Sequence, residues 1–326
     1  MSASLSAEAR LQILRPGKRV LSIQSHVVSG YAGNKCSIFP LQLHGFEVDF
    51  VNSVQFSNHT GYKTIKGQRL SDKELEALYE GLKANEINKY SHILTGYCGE
   101  TTFLNKIADI VTDCRTVNPT LLFVCDPVMG DNGYYYTPRE LMPIYRDRIL
   151  PLADIITPNA FELGELVGHA VTNETECIAA MDSLFKLHPK LSAIVVTSGI
   201  FGASSENMYA YASSRRSAGS AEGTDGIRRS RFTIPLVRGN FVGTGDIFAA
   251  LLVVWLADLD GDLAGAVRNV IVTLQSILRR TSAAAYGPLA VDEKATAAGK
   301  ELKLIDSRYD IIAPPTDVIK IQQVDL

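Results

Sequence analysis

Short apolar runs alternate along this chain with longer stretches whose apolar positions recur at helical spacing. Arg19–Ser25 (RVLSIQS) predicts a first strand, closed by the turn formers Ser29 and Gly30. Asn34–His44 predicts a helix, with Gly45 placed to end it, and Glu47–Val54 alternates as a second strand. A polar loop over 56–67 follows, and Ser71-Asp72-Lys73-Glu74 is a capping box opening a helix to about Lys83. Ser91–Tyr97 is a strand, Thr102–Thr116 a helix, and Leu121–Val128 (LLFVCDPV) a strand apolar enough to be buried on both faces. Asp154–Pro158 and Ala193–Thr197 read as further strands, separated by a helix that Asn173-Glu174-Thr175-Glu176 caps and that runs to about Leu187. Late in the chain, Phe232–Val237 is a strand, followed by an apolar helix over Ile247–Ala257 and a long helix over about Leu263–Ala285. Strands alternating with helices predict an α/β fold, a mostly parallel sheet with helices on both faces.

Two segments break the pattern. Ser213–Arg231 carries five Ser, three Gly and five Arg, with Ile227 its only large apolar residue. Too little apolar surface to offset its ordering entropy predicts a mobile surface insertion, of local charge +3. Residues 1–17 have no apolar signal-peptide core and only one acid, Glu8; they predict a disordered leader, with a weak organellar transit peptide as the other reading. No repeat or linker divides the rest, so 18–326 is expected to be one domain.

At 326 residues, with 46% hydrophobic and 21% charged residues, the chain can bury a large core without disulfides. A formal charge of −3 argues against a general nucleic-acid or membrane-surface binder. The longest apolar run, Ile247–Ala257, is eleven residues, too short to span a bilayer. Five cysteines (36, 98, 114, 125, 177) include no CxxC pair, and the six histidines have no metal spacing. Buried, reduced thiols in a cytoplasmic protein are expected.

Ligands of open α/β sheets bind at the carboxyl ends of the strands, so chemistry is sought there. In Gly243-Thr244-Gly245-Asp246, two glycines let the backbone approach a ligand, and the helix behind offers unpaired N–H groups and its positive dipole end. Asp246 is placed to accept a proton from an attacking hydroxyl; the plainer reading is a helix cap. Asp126 and Asp131, in CDPVMGD, suit a divalent ion or the charge around phosphates, or else a solvated turn. Asn132-Gly133-Tyr134-Tyr135-Tyr136 suits a flap. Asn159 and Glu162, three apart after Thr157-Pro158, share one side of a helix start and suit metal-bound water, or are a plain helix N-terminus. Ser25-His26 and Thr95-Gly96-Tyr97 offer hydroxyl and imidazole groups for a small polar ring. No GxxxxGK[ST] or GxSxG occurs, and Gly243-x-Gly245 is followed at the sixth position by Phe248, so P-loop, hydrolase-elbow and nicotinamide readings lack support.

Taken together, LSIQSHV (21–27), VNSVQFSNHTGY (51–62), LTGY (94–97), VCDPVMGD (124–131), LADIITPNAFE (152–162) and GTGD (243–246) closely resemble the pyridoxal kinases of the ribokinase-like superfamily. GTGD alone marks only the superfamily; the other segments are more specific. The resemblance runs from about Arg19 to the C-terminus, the 213–231 segment apart, and the flap after Asp131 looks shorter than in animal members. It implies a ribokinase-like fold and ATP-dependent phosphorylation of the 5′-hydroxymethyl of pyridoxal, pyridoxine and pyridoxamine. It implies Asp246 as base, with the amides of Gly243, Thr244 and Gly245 as an anion hole. Ser25, Thr60 and Tyr97 would line the vitamin pocket. Asp126, Asp131, Asn159 and Glu162 would serve the phosphates of ATP and Mg²⁺, with Thr157 near a monovalent cation (K⁺ or Na⁺). Thr197 and Ser198 would help seat the nucleotide. A cytosolic homodimer is the family's usual state. The rival expectations are a hydroxymethylpyrimidine kinase and a catalytically silent vitamin-binding protein.

Overall fold

The alternating runs become alternating elements. The computed structural model describes residues 6–202, 206–215, 226–287 and 295–326. The chain begins with helix α1 (Ala7–Leu11), strand β1 (Arg19–Val27), helix α2 (Asn34–Leu43) and strands β2 (Glu47–Phe56) and β3 (Gly67–Arg69). It continues with α3 (Asp72–Ala84), β4 (His92–Thr95), α4 (Thr101–Val117), β5 (Leu122–Cys125), the short β6 (Gly130–Asp131) and β7 (Tyr134–Tyr135), and α5 (Leu141–Ile144) leading into a π-helical turn over Tyr145–Ile149. Then come β8 (Ile155–Ile156), α6 (Ala160–Val167), α7 (Glu174–Leu187), β9 (Ala193–Phe201), β10 (Asn207–Arg215) and β11 (Ile227–Pro235). The last part holds α8 (Thr244–Asp258), α9 (Leu263–Tyr286), α10 (Arg308–Ile312) and β12 (Gln322–Asp325). The described residues form two compact units, one of residues 1–69 with 236–321, the other of 70–235 with 322–326.

In the first unit β1 and β2 pair in parallel and β3 runs antiparallel to β2. The core is the apolar helix: nine consecutive residues of α8, Ile247 to Trp255, are buried, because α2 and α9 both pack on it. A helix buried all round needs no amphipathic stripe, which is why its sequence is uniformly apolar. Beside it lies a buried polar network. Ser22 Oγ donates to Asn34 Oδ1 (2.8 Å), Asn34 Nδ2 to Asn52 Oδ1 (2.8 Å), and Gln24 Nε2 to the hydroxyls of Ser22 and Ser37 (both 2.9 Å). Buried polar groups are tolerated when so bonded, and these fix the start of α2 against the middle of β1 and β2.

The expected disordered leader is corrected for residues 6–17. Ser6 caps α1, and Arg10 and Arg15 converge on Asp258 at the end of α8, their side chains almost sealed from solvent. Arg10 also lies over the Trp255 ring and Arg15 over Phe46, and Arg15 Nε donates to His44 O. The segment is ordered by arginine stems on aromatic faces, which an apolar-pattern reading does not register.

In the second unit β4, β5, β8 and β9 run parallel, and β10, β11 and β12 continue antiparallel from β9. The all-apolar β5 is buried from Phe123 to Cys125. The 213–231 insertion is also corrected at both ends. Ser213, Ser214 and Arg215 pair with Arg229, Arg228 and Ile227, extending the β10–β11 hairpin; the rest of the expected loop, 216–225, lies outside the described residues. Ser230, Phe232 and Ile234 alternate inward while the arginines find partners. Arg229 pairs with Asp182 (2.7 Å) and Arg231 with Glu174 (2.8 Å); Arg215 donates to the carbonyls of Leu191 and Phe185 and stacks on the Phe185 ring. All five cysteines are buried and free, and burial pushes the Cys98 and Cys177 thiols up to about 12. Among the described residues no helix is long and apolar enough to cross a membrane.

Candidate active site

The first unit's cluster forms where β1 ends and α8 begins. Gly243 takes a left-handed φ of +90° ahead of α8, and a Cβ there would lie 2.6 Å from Cys36 Sγ and 2.9 Å from Tyr31 O. Glycine is therefore required both by conformation and by space. The turn sends the first amides of α8, those of Thr244 and Gly245, outward from a helix N-terminus, where an anion is favoured. Asp246 sits in the first turn. Its Oδ2 accepts the Gly33 N–H at 2.6 Å, and Ser37 Oγ donates to its main-chain oxygen at 3.1 Å. That leaves Oδ1 as the oxygen open to a proton. Burial raises the pKa of Asp246 above its ordinary value, against the opposing pull of the Gly33 amide. Gly33 is also bridged to His26, so Ser25 and His26, at the end of β1, are fixed beside the same turn. Thr60 is exposed on the loop between β2 and β3, next to the buried His59.

The second unit gathers the rest at the carboxyl ends of its parallel strands. Thr95 is level with Cys125, and Cys125 with Ile156, so Tyr97, Asp126 and Thr157 all follow the same edge. The Asp126 N–H donates to Thr95 O (2.9 Å), and the Thr197 N–H to Pro158 O (3.0 Å), which brings Thr197 and Ser198 to Asn159. Asn159 and Glu162 make a reciprocal capping box at the head of α6. The same Glu162 reaches further: Oε1 accepts the N–H of Met129 (2.9 Å) and Gly130 (3.4 Å), while Oε2 accepts that of Asn159 (2.9 Å). Asn159 Nδ2 returns a bond to Gly130 O (2.7 Å). One carboxylate thus clamps the 126–131 loop onto the helix start. Burial pushes the Glu162 pKa up, aided by the charge of Asp131, whose own pKa is raised by burial.

The expected flap is a hairpin, β6 with β7, turned by Asn132 (φ +50°) and Gly133 (φ +82°), the pairing a two-residue turn of this hand favours. Tyr135 donates to Glu165 and meets Phe161 edge-on, with Arg139 over its other face.

The donor set suits hard cations. No three His, Cys, Asp or Glu among the described residues converge into a metal cage. Mg²⁺ at phosphates ordinarily takes only one or two carboxylates and completes its shell with water and substrate oxygens, and the buried Asp126 and Glu162 fit that demand. Thr157 Oγ1 is buried with no hydrogen-bond partner, an oxygen suited to a monovalent cation.

One member of the first cluster has no signal in the sequence pattern. Glu301, in a polar stretch without periodicity, accepts from Tyr31 N–H (2.9 Å), Tyr62 OH (3.0 Å) and the His59 ring (3.1 Å). Only distance-independent information, such as pairing across 270 positions, would have disclosed it.

Comparison with known proteins matches the phosphomethylpyrimidine kinase family model over residues 45–289. Pyridoxal kinase of Sus scrofa is 45% identical over 300 residues, covering 91% of this chain and 92% of its own; that of Homo sapiens is 42% identical, covering 91% and 96%. The chain belongs to the pyridoxal kinase family. Pyridoxal kinase of Leishmania donovani, solved in complex with ADP and pyridoxamine, superposes with a TM-score of 0.83 at 34% identity, covering 95% of this chain and 99% of that one. The same enzyme is solved with ADP and pyridoxine. The ribokinase-like α/β class follows from these matches.

Proposed function

We propose that this protein transfers the γ-phosphoryl group of ATP to the 5′-hydroxyl of pyridoxal, pyridoxine and pyridoxamine. The observation that carries the reading is Asp246: a carboxylate fixed by the Gly33 amide, in the first turn of a helix whose entry glycine is left-handed. It stands in a family whose Leishmania member holds ADP with B6 vitamers.

Phosphoryl transfer asks a protein for positioning and charge stabilisation. Asp246 Oδ1 takes the proton of the attacking hydroxyl as its oxygen bonds the γ-phosphorus and the bond to the bridging oxygen of ADP breaks. Its raised pKa moves it toward neutrality, where a general base works best. The amides of Gly243, Thr244 and Gly245 hold the charge gathering on the transferring group. Ser25, Thr60 and Tyr97 orient the vitamin. Asp126, Asp131 and Asn159 attend the phosphates, and Thr197 and Ser198 the nucleotide. Asp126 and Glu162 would hold Mg²⁺, which would supply neutralisation of phosphate charge, and Thr157 would serve a monovalent cation. A cytoplasmic homodimer is part of the same reading.

The test is a coupled assay of ADP release on a panel of pyridoxal, pyridoxine, pyridoxamine and hydroxymethylpyrimidine. Faster turnover on the B6 vitamers is expected. Faster turnover on the pyrimidine would hand the reaction to the neighbouring kinase, and vitamin binding without ADP release would make the chain a silent binder.

A further inference from the structure

Glu301 follows the single 3₁₀ turn Ala298–Lys300, and its side chain is 14% exposed. Three donors from two loops converge on it. Tyr31 N–H belongs to the turn between β1 and α2, and reaches Oε2. Tyr62 OH and the His59 ring belong to the loop between β2 and β3, and reach Oε1. The fit is cut into the chain: a Cβ on Gly30, whose φ is +83°, would lie 2.1 Å from Glu301 Oε1. His59 is oriented from its other side as well, since its Nδ1 accepts the Gly61 N–H at 3.0 Å. Nδ1 as acceptor leaves Nε2 to carry the proton toward Glu301. The His59 and Tyr62 rings meet edge-on at 5.0 Å. The partners hold the Glu301 carboxyl below the ordinary range despite its burial, so it is an anion receiving three donors.

We propose that Glu301 is a positioning residue that locks the 59–62 loop to the 30–33 turn and so sets the affinity for the vitamin. The inference rests on the proposed placing of Thr60 and Ser25 at the vitamin. Thr60 itself is exposed between His59 and, one glycine on, Tyr62, both of whose side chains are held by Glu301, so its direction follows from theirs. Asp246 is held at the far end of that turn, by Gly33, which the bridge to His26 ties to β1 without help from Glu301. Loss of Glu301 therefore loosens the vitamin side while leaving the base in place. The loop keeps its own braces, Ser57 N–H to Lys66 O (2.7 Å) and Asn58 Nδ2 to Thr64 O (3.0 Å), so the variant retains a folded loop.

Steady-state kinetics on full-length protein separate these effects. Glu301→Ala is expected to raise KM for pyridoxal about tenfold or more, with KM for ATP and kcat changed by about threefold at most. Glu301→Gln keeps one acceptor oxygen and falls between. Tyr62→Phe removes one donor and shifts KM for pyridoxal in the same direction by less. An unchanged KM for pyridoxal in Glu301→Ala, or equal rises in both KM values together with a lowered Tm, overturns the proposal. Should Glu301→Ala not fold, Tyr62→Phe decides alone. Amide hydrogen exchange at Gly61 and Tyr62 tests the lock without turnover: faster exchange in Glu301→Ala supports it and unchanged exchange sinks it. A wild-type protein that releases no ADP with pyridoxal would refute the kinase reading, while the exchange result would still judge the lock.

Discussion

The carboxylate of Asp246 and the main-chain N–H of Gly33 meet at 2.6 Å across 213 positions of sequence. One oxygen is thereby immobilised and the other kept for chemistry. Asp246→Ala is expected to lower kcat by about 10²–10⁴-fold while ATP and pyridoxal still bind. Calorimetric titration of the variant with each substrate, beside the ADP-release assay, checks both halves. Near-normal kcat would remove Asp246 from the role of base.

The same group makes a stability prediction of opposite sign. Burial raises its folded pKa above the unfolded one, about 3.9, so its charged form is penalised in the native state. Its favourable contribution is complete below the unfolded value and is lost as pH rises through the folded value. Asp246→Asn keeps an acceptor for the Gly33 amide and removes the charge. Its Tm should exceed that of the wild type at neutral pH, and the gain should shrink toward about pH 4. A Tm difference independent of pH would contradict this.

Gly243→Ala forces a side chain into a left-handed position already bounded by Cys36 Sγ and Tyr31 O. A cost of about 1–3 kcal/mol is expected in urea denaturation, with turnover lost beyond what stability explains.

Glu162→Gln replaces an acceptor with a donor facing either the Asn159 amide or the Met129 and Gly130 amides. The 126–131 loop should loosen, raising KM for ATP more than KM for pyridoxal. Equal effects on both would mean that the clamp does not serve the nucleotide.

Asp258→Ala leaves Arg10 and Arg15 facing an empty space where both had a near-buried partner. The expected loss is about 3 kcal/mol. Removing residues 1–16 should cost stability as well, measured as a lower Tm; an unchanged Tm would return this segment to the status of a leader.

Much of the order of elements was legible because the central strands are apolar runs and several helices start at a cap: Ser71, Asn159 and Asn173 all accept the amide three residues on. The site residues could be named because they stand where those runs end. What they touch could not. Nothing local announces that Glu162 reaches back to Met129, or that Glu301 reaches Tyr31. The arginine-rich ends of the 213–231 segment misled for a related reason: they pair as strands, and Arg231 and Arg229 find Glu174 and Asp182, acids 57 and 47 positions earlier in the chain. Apolar patterning records burial, whereas these contacts are made by charges whose partners are distant.

The first unit is assembled from two stretches of chain with the whole of 70–235 between them. Gly33 waits for Asp246, and Tyr31 for Glu301, until synthesis has nearly finished. A ribosome releasing this polypeptide therefore holds β1, β2 and β3 without their late partners for most of translation, and any frameshift or stop codon upstream of residue 301 yields a product lacking the last tether. Closure over such spans is slow, and the early strands stay exposed while the remainder emerges.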